Sequence, residues 1–597
     1  MNTIEKPDTR LYLSRLDYEI ALKNGSLSKE DFVLGLWCLS NFEDIESSQL
    51  INYKNNESSR MACANQNVDK AYSRLNDVLS DSLNRLHGVT YGKQYWEILY
   101  GYWLRQFLDV LYDRYQTVQE AKRSISSNNI SVLLPFEEAY KVPTDTDDFS
   151  VSIFTDQFNH NLFGEIIKYF GFFNVKNSHD LKYQSMIKVG RKSSFSSLKR
   201  IIFEISTQLV RLNKVVIVRS YFSKNLLSRL SLRFLSLPLL GTPAFTNSFD
   251  SVELRDSFKL RMPPNPSEFE SLAASLVSKY IPKIFIENYK DLVRKGERTR
   301  PKKAKVFLTA NAFAAQELYK YWVARSVSDG YATSIIVQHG ANYGHSEIMS
   351  EEQYERRTSN IYTTSGWEDN REPKVRPFIG SAFLGGIGDY CSKKPTNCPT
   401  GDIVWVLCSL PRYQYTQWSA PQGPDFISYL ESQSLFLRSL SSCVKGSLLC
   451  RSYHYDYGWD DLEYLKKYGG DFRLDESGNS LRKLMLKAKA MVFTYDSTSM
   501  MESMALNIPT LCFWDPVRWP WRDSSLELLS ELKSAQIFHE NARELASHLN
   551  HIGNSAGLLE WWESVRVQKA RHRFCQQYAA TSSNEFRGWS NLINSLM

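Results

Sequence analysis

The chain has 597 residues, of which 43% are hydrophobic and 23% are charged. This composition excludes a disordered chain, and the length predicts more than one hydrophobic core. The net charge of +7 is too small for a dedicated nucleic-acid binder, so we expect no nucleic-acid partner. The nine cysteines lack CxxC spacing, and neither a signal region nor an apolar run of roughly 18 residues is present. We therefore expect a cytoplasmic protein with at most peripheral contact with the inner membrane.

The first part of the chain predicts strands and helices in alternation. Apolar runs predict short buried strands at Arg10–Ser14 and Phe32–Cys38. Apolar spacing of three and four over residues 67–125 predicts a pair of long amphipathic helices. The Ser-, Asn- and Asp-rich stretch 126–150 indicates a loop, and another helix begins near Phe158.

Two polar residues of this helix are candidates for a site. Asp156 and His160 are four residues apart and therefore share one helical face. No third ligand accompanies them, so we expect no metal site. The pair is either part of an active-site wall or a capping arrangement at the start of the helix.

The middle of the chain begins with an apolar run and a basic segment. The run Val215–Val218 predicts a buried parallel strand. The segment 290–305 carries eight Lys and Arg residues. It is either a solvated helix end or a contact for anionic glycan or lipid headgroups.

A strand–helix–strand unit follows, with strands at Lys305–Thr309 and Ser334–Val337 and a helix over Ala312–Asp329 that ends at Gly330. Asn311 ends the first strand and is expected to face a cleft. Glu317, within the helix, lies either on a solvated face or in the site.

The turn after the second of these strands is the best candidate for catalysis in this half. Its sequence begins Gln338, His339, Gly340, and Asn342 follows. Glycine and asparagine permit positive φ angles at the ligand-facing edge of a parallel sheet. His339 can act there as an acid, a base or a phosphate partner, the alternative being a loop histidine bonded to a carbonyl.

The last third of the chain shows a second alternation of strands and helices. Its strands are predicted at Ile403–Leu407, Leu448–Tyr453, Met491–Tyr495 and Thr510–Trp514. Such alternation predicts a doubly wound parallel sheet. Pro- and Gly-rich sequence before it sets the domain boundary, which gives domains 1–380 and 381–597.

Three basic residues follow strands of this half. Arg412 lies where a basic group can approach a phosphate. Arg451 can clamp a phosphate or a sugar carboxylate in bidentate fashion, and His454 can contribute similarly. The alternative for the segment around Arg451 is an aromatic core turn.

The stretch after the strand Met491–Tyr495 is the most informative in the chain. Asp496, Ser497, Thr498 and Ser499 lead into a helix, and Glu502 follows within its first turns. Free N–H groups at a helix start, together with hydroxyls, suit a phosphate or carboxylate. Glu502 can accept two hydrogen bonds from a ribose diol. We expect a nucleotide-sugar here and no separate cofactor.

Several blocks together resemble the O-antigen-locus transferases of bacterial surface-polysaccharide clusters. The blocks are Trp96–Arg114, Phe158–His160, Gln338–Gly344, Arg451–Trp459, Asp496–Trp514 and Arg566–Tyr578. That family is similar to the retaining β-Kdo transferases, GT-B enzymes that use CMP-Kdo. The resemblance implies an α/β GT-B fold, in which two Rossmann-like domains face a cleft and helices are added at the N-terminal side. It also implies an active-site role for His339, a nucleotide cradle at Ser497–Glu502, and a carboxylate nucleophile for which Asp156 and Glu317 are the candidates.

The expected function is metal-independent transfer of a sugar, Kdo or a related ulosonic acid, from a CMP donor. The acceptor is expected to be lipid-linked or an oligosaccharide of the surface polysaccharide. One alternative keeps the fold and transfers a polyol phosphate from a donor of the CDP-glycerol type. A second alternative is a non-catalytic glycan-binding protein of the assembly machinery.

Overall fold

A computed structural model describes residues 9–39, 49–51, 58–126, 129–136, 141–178, 181, 209–237, 239, 241–242, 251–377, 384, 387, 401–553, 555–582 and 584–597. The protein is a mixed α/β protein with three parallel β-sheets. The predicted boundary at 380/381 lies outside the described residues.

The first sheet has five strands in the order β3-β2-β1-β4-β5. Its strands are β1 (Thr9–Tyr12), β2 (Phe32–Val33), β3 (Gln49–Leu50), β4 (Ile130–Leu134) and β5 (Asn174–Asn177). The accompanying helices are α1 (Arg15–Lys23), α2 (Ser58–His87), α3 (Lys93–Ser124), α4 (Thr146–Ser152) and α5 (Asp156–Phe170). A short 3₁₀ helix spans Leu36–Cys38.

The second sheet also has five strands, which lie side by side in chain order. They are β6 (Val215–Val218), β7 (Val306–Thr309), β8 (Thr333–Val337), β9 (Ile361–Thr364) and β10 (Val375–Pro377). The helices of this part are α6 (Lys224–Phe234), α7 (Val252–Ser257), α8 (Glu268–Tyr280), α9 (Tyr289–Thr299), α10 (Glu317–Ser328) and α11 (Ser350–Thr358). Further 3₁₀ turns span Val210–Leu212, Lys283–Phe285 and Ala312–Ala314.

The third sheet has six strands in the order β13-β12-β11-β14-β15-β16. They are β11 (Ile403–Val406), β12 (Leu448–Arg451), β13 (Arg473–Leu474), β14 (Ala490–Phe493), β15 (Thr510–Phe513) and β16 (Phe538–His539). Its helices are α12 (Phe426–Ser439), α13 (Ser442–Gly446), α14 (Asp461–Gly469), α15 (Leu481–Met485), α16 (Thr498–Ala505), α17 (Asp523–Ser534), α18 (Ala542–Ile552), α19 (Ser555–Glu563) and α20 (Val565–Tyr578). The last helix, α21 (Glu585–Asn594), returns to the second sheet, where it packs on α6. A 3₁₀ turn spans Gly423–Asp425.

Strand order gives the third sheet a point at which its winding reverses. The chain moves outward from β11 in one direction to β13 and then crosses back to β14 on the other side of β11. Strands β11 and β14 are paired in parallel, and every residue of both is buried. In open α/β sheets, ligands bind in the crevice at such a reversal, outside the carboxyl ends of the strands.

Most of the predicted elements are confirmed within a few residues, and two are corrected. The stretch 126–150 is not all loop, because it contains β4 and α4. β4 is flanked by β1 and β5, and burial on both faces offsets the polar neighbours that suggested a loop. The predicted strand Phe32–Cys38 ends at Val33, and the chain then turns so that the Trp37 indole donates to the Leu13 carbonyl oxygen.

We call each sheet with its helices the first, second and third part of the molecule. Helix α3 is the longest helix among the described residues and lies in the core of the first and second parts. It packs against α2, α4 and α5 and also against α8, α10 and α11. Its middle is buried on nearly all sides, which explains its content of tryptophan, tyrosine and leucine. No helix among the described residues is long and apolar enough to cross a lipid bilayer.

Candidate functional site

The turn between β14 and α16 forms a pocket at the reversal point of the third sheet. Ser497 has extended backbone and is the N-cap of α16, and its hydroxyl oxygen accepts from the Met500 N–H at 3.1 Å. The first N–H groups of a helix have no acceptor within the helix and are available to a ligand. The adjoining pocket has a volume of about 230 Å³.

The lining of this pocket is aromatic and hydroxyl-rich. Its wall comes from the ends of β11, β12 and β14, and the lining residues are Asn342, Cys408, Ser409, Leu410, Pro411, Tyr415, Trp418, Tyr453, Tyr457, Tyr495, Asp496, Ser497, Thr498, Ser499 and Trp519. We call it the strand-reversal pocket. No Lys, Arg or His side chain is among these lining residues.

The turn that follows β8 is fixed by its own side chains. The Gln338 amide donates to the Gly340 carbonyl at 2.9 Å, and its oxygen accepts from the Trp367 indole at 2.8 Å. Asn342 has a φ of 73° and Gly344 a φ of 81°. A Cβ on Gly344 would lie 2.5 Å from the Trp367 ring, so this position requires glycine for both reasons.

The two turns are in direct contact. The Ala341 N–H donates to the Thr498 hydroxyl at 3.0 Å. Nε2 of His345 lies 2.6 Å from a carboxylate oxygen of Asp496, and both side chains are fully buried. The same oxygen accepts from the Trp521 indole at 3.2 Å. The carboxyl edges of the second and third sheets therefore meet here.

A second pocket of about 240 Å³ lies on the side of His339. We call it the histidine pocket. Its lining residues are Tyr102, Arg105, Gln106, Asp109, His339, Gly340, Ala341, Asn342, Tyr343, Met349, Ser350, Glu351, Tyr354, Tyr415, Thr416, Trp418 and Thr498. It shares Asn342, Tyr415, Trp418 and Thr498 with the strand-reversal pocket, so the two adjoin.

His339 lies against carboxylates of helix α11. Its Nδ1 atom is 3.5 Å from Oε1 of Glu355, which also accepts from the Tyr343 hydroxyl at 2.9 Å. Burial lowers the pKa of His339, and the negative charge of Glu351 opposes this shift. Burial raises the pKa of Glu355 well above its ordinary value, and Glu351 adds to the rise.

The same three residues are the group that can hold a metal ion in the described part of the chain. One ligand atom each from His339, Glu351 and Glu355 lie within 4.8 Å of one another. Glu351 and Glu355 are one helical turn apart on α11, which places both carboxylates on one face. The cluster is suited either to a cation or to a shared proton.

Arg105 and Asp109 form the opposite wall of the histidine pocket. Both project from α3, and Nε of Arg105 donates to Asp109 at 2.9 Å. Asp109 also accepts from the Ser350 hydroxyl at 2.7 Å and the Gln417 N–H at 3.1 Å. Burial raises its pKa, and Arg105 opposes the rise.

The structure places the other predicted carboxylates away from both linings. Asp156 accepts from the Tyr413 hydroxyl at 2.5 Å, and burial raises its pKa. Glu317 is buried, where it accepts from the Thr146 N–H at 3.0 Å and pairs with Lys320 at 2.9 Å.

Several predicted binding residues also have structural partners. The ring nitrogens of His160 lie 2.9 Å from the Ser14 hydroxyl and 2.9 Å from the Leu133 carbonyl oxygen, in the core of the first part. The Asn311 amide donates to the Tyr221 hydroxyl at 3.0 Å. Neither His160 nor Asn311 lines the histidine pocket or the strand-reversal pocket.

The basic residues predicted for binding in the third part also contact other residues of the protein. The Arg412 guanidinium donates to the Leu39 carbonyl at 2.6 Å and so joins the third part to the first. Arg451 pairs with Asp475 at 2.6 Å. His454 packs on the Tyr453 ring, 4.5 Å between centroids, but lines neither pocket.

Glu502 is engaged as well. Its carboxylate lies 2.5 Å from a guanidinium nitrogen of Arg482, and it is absent from both linings. Burial raises its pKa, which the Arg482 charge opposes.

Sequence reasoning missed Arg105, Asp109, Glu351 and Glu355. The only local signal is the spacing, because the two residues of each pair are four apart and therefore share one helical face. The pairs lie on helices far apart in the chain, and only the packing of α11 on α3 brings them to one pocket.

A sequence model of the LIC12162 family transferases matches residues 21–593. The chain belongs to this family. The match covers both pockets and every strand of the second and third sheets, whereas β1 of the first sheet lies before it. The family name indicates a transferase. No protein with a curated description matches the chain significantly.

Proposed function

We propose that this transferase is a glycosyltransferase of the GT-B type. It moves a sugar, Kdo or a related ulosonic acid, from a CMP donor to a lipid-linked or oligosaccharide acceptor of a surface polysaccharide. The acid, the acceptor class and retention of configuration come from the resemblance to the O-antigen-locus and β-Kdo transferases.

One observation carries the proposal. Two pockets adjoin where the carboxyl edges of two parallel sheets meet, one at a helix N-terminus and one beside a buried histidine. The strand-reversal pocket would hold the nucleotide, with aromatic faces for the base. The histidine pocket would hold the sugar and the acceptor hydroxyl, so the bond to be broken lies near the shared wall.

Charge supports a donor with one phosphate. Because none of the described residues that line the strand-reversal pocket is cationic, the phosphate would depend on the start of α16. A helix N-terminus supplies the equivalent of about half a positive charge. That suits the single phosphodiester of a CMP-sugar better than the diphosphate of a UDP-, GDP- or CDP-linked donor.

The roles follow from the histidine pocket. His339, neutral because of its burial, would accept a proton from the acceptor hydroxyl. With Asp156 and Glu317 engaged elsewhere, Glu351 is the carboxylate we propose beside the anomeric carbon. Arg105 and His339 are the basic groups of that lining. The Arg105 guanidinium pairs with Asp69 and Asp109, and it would bind the donor carboxylate by exchanging one of these partners.

A polyol-phosphate transferase is the alternative, because it also requires a histidine turn beside a phosphate cradle. A release assay decides between them. The protein is incubated with CMP-Kdo, CMP-sialic acid, CDP-glycerol, and UDP- and GDP-sugars, and the freed nucleotide is identified. We expect CMP from a CMP-sugar; CMP from CDP-glycerol alone would overturn the proposal.

The His339→Ala variant tests the site within the same assay. Loss of a positioned acid–base group lowers rates by about 10²–10⁴-fold. His454→Ala is the matched control, because His454 lies outside both linings. Equal rates for His339→Ala and the wild type would remove His339 from the mechanism, and intact polysaccharide synthesis in cells carrying His339→Ala would favour a non-catalytic glycan-binding role.

A further inference from the structure

The chain has a long stretch without acidic residues. No Asp or Glu occurs between Glu204 and Asp250, whereas six Lys or Arg residues do. The described part of this stretch forms β6 and α6 at the edge of the second sheet. A charge bias of this kind sets up a positive field on one surface of the molecule.

The same stretch exposes leucines. Helix α6 buries Leu226 and Leu230 against the second sheet. Its other face and the turns beside it carry leucines that are exposed, namely Leu209, Leu212, Leu232, Leu235 and Leu237. Leu232 is 76% exposed and Leu235 is 88% exposed. Contiguous exposed apolar side chains mark surfaces that bind a partner or a membrane.

These leucines and the nearby cations belong to one surface. Asn213 exchanges two hydrogen bonds with the Leu237 backbone, at 2.9 and 3.1 Å, and so joins the end of α6 to the start of β6. The Lys305 N–H donates to the Lys214 carbonyl at 2.8 Å, and the Thr333 N–H donates to the Lys305 carbonyl at 2.8 Å. The amino ends of β6, β7 and β8 are therefore adjacent to the leucines.

The cations of this surface are exposed and make no ion pair among the described residues. They are Arg211, Lys214, Arg233, Lys302, Lys303 and Lys305. Arg229 of α6 instead stacks on the Phe586 ring of α21, 4.1 Å from its centroid. Tyr331, 64% exposed, lies just before β8. We call these six cations and Tyr331, with the five leucines, the leucine–cation surface.

We propose that the leucine–cation surface binds the protein to an anionic lipid bilayer. Leucines insert at the boundary of headgroups and acyl chains, the cations attract anionic headgroups, and tyrosine prefers the interface between them. The apolar side chains favour a bilayer over a soluble polyanion, which would use the cations and leave the leucines in water. This inference does not depend on the identity of the donor.

The surface lies at the amino ends of the strands, on the opposite edge of the second sheet from His339. A bilayer bound there leaves the histidine pocket facing away from the lipid. The acceptor end that reacts must therefore extend from the membrane around the second sheet.

Flotation of the full-length protein with vesicles tests the proposal. One set of vesicles is phosphatidylcholine and the other contains an equal amount of phosphatidylglycerol. We expect binding to the anionic vesicles, weakened by salt. Leu232→Ser with Leu235→Ser weakens it by about tenfold per leucine. Lys214→Gln with Lys305→Gln weakens it by about fivefold per cation.

The matched control is Val517→Ser with Val565→Ser, at valines that are 62% and 85% exposed outside this surface. Its binding should equal that of the wild type. The idea is overturned by no binding to anionic vesicles at low salt, by equal binding to neutral vesicles, or by unchanged binding of the leucine variant. Capture by a soluble anionic polysaccharide in place of vesicles would reassign the cations to glycan.

Donor hydrolysis in solution separates this proposal from the proposed function. The leucine variant should release nucleotide at the wild-type rate, because its residues lie outside both pockets. Thermal unfolding of each variant establishes that the fold is retained.

Discussion

Two glutamates of α11 lie three residues apart and have opposite electrostatic environments. Glu352 accepts from Arg522 and from the Gly344 N–H at 2.8 Å, and these contacts hold its pKa below the ordinary value despite burial. No arginine of the described residues pairs with Glu355, which faces His339 and Tyr343. The chain therefore keeps one buried glutamate ionised and leaves the other prone to hold a proton at the site.

Replacement of Glu355 by Gln should change how stability depends on pH. The folded-state pKa of Glu355 is raised above the ordinary 4.5. The contribution of this side chain to the free energy of unfolding is therefore full below pH 4.5 and is lost as the pH rises. Glu355→Gln mimics the protonated group and does not titrate. The free energy of unfolding of the variant, relative to that of the wild type, should therefore increase from about pH 5 to about pH 8. Urea unfolding at each pH measures it.

Glu352→Gln is the control for this series. The pKa of Glu352 is lowered, so its contribution is present above pH 4.5 and is lost as the pH falls. The variant should be destabilised at neutral pH and should approach the wild type in acid. The same pH trend for both variants would contradict the assignment.

At the scale of elements, α16 is the best-predicted part of the site. A buried strand, a hydroxyl turn and a helix follow each other over 490–505, and each has a local signal in the sequence. The Asp496 and Glu502 side chains were harder to predict, because their partners His345 and Arg482 come from other elements. The local sequence pattern is enough to predict the turn. The partners of its side chains depend on contacts with residues far away in the chain.

The N-cap of α16 offers a test at this scale. Ser497→Ala removes the acceptor for the Met500 N–H and should cost about 1 kcal/mol of stability. Ser497→Ala should also slow the formation of free nucleotide in the release assay, because a loosened helix start would hold the donor phosphate less well. Ser441→Ala removes the N-cap of α13 and should cost as much stability without changing release. Equal rates of nucleotide formation for the two variants would show that the start of α16 does not bind the donor.

Element prediction failed where burial, rather than composition, decides the structure. β4 and α4 lie in a stretch of polar composition, yet β4 is the central link between β1 and β5. The histidine pocket could not be assembled from sequence, because Asp109 and Glu351 come from helices more than 200 residues apart in the chain. Their signals, two polar residues one turn apart, also occur on any solvated helix.

At the scale of the whole molecule, the second and third parts are joined by a buried pair. His345 lies in the turn after β8, Asp496 follows β14, and both are fully buried. Removing one partner of a buried pair leaves the other without compensation. We therefore expect the loss of either partner to destabilise the contact between the turns that line the two pockets.

His345→Ala should destabilise the protein by about 3–5 kcal/mol. Arg473→Ala, which breaks the exposed pair of Arg473 with Asp402, should cost under about 1 kcal/mol. Denaturant unfolding of both variants measures the difference. Losses of the same size would show that the His345–Asp496 pair does not hold the sheets together.

Helix α3 has a consequence for motion. It runs unbroken over 32 residues and packs on helices of both the first and the second part. Shared packing of this kind ties those two parts together, and we expect any opening of the pockets to occur between them and the third sheet. Such an opening, on the microsecond-to-millisecond scale of domain motion, would have to break the Ala341–Thr498 hydrogen bond together with the pairs His345–Asp496 and Arg522–Glu352. We therefore expect the closed arrangement of the two pockets to be the resting state of the molecule.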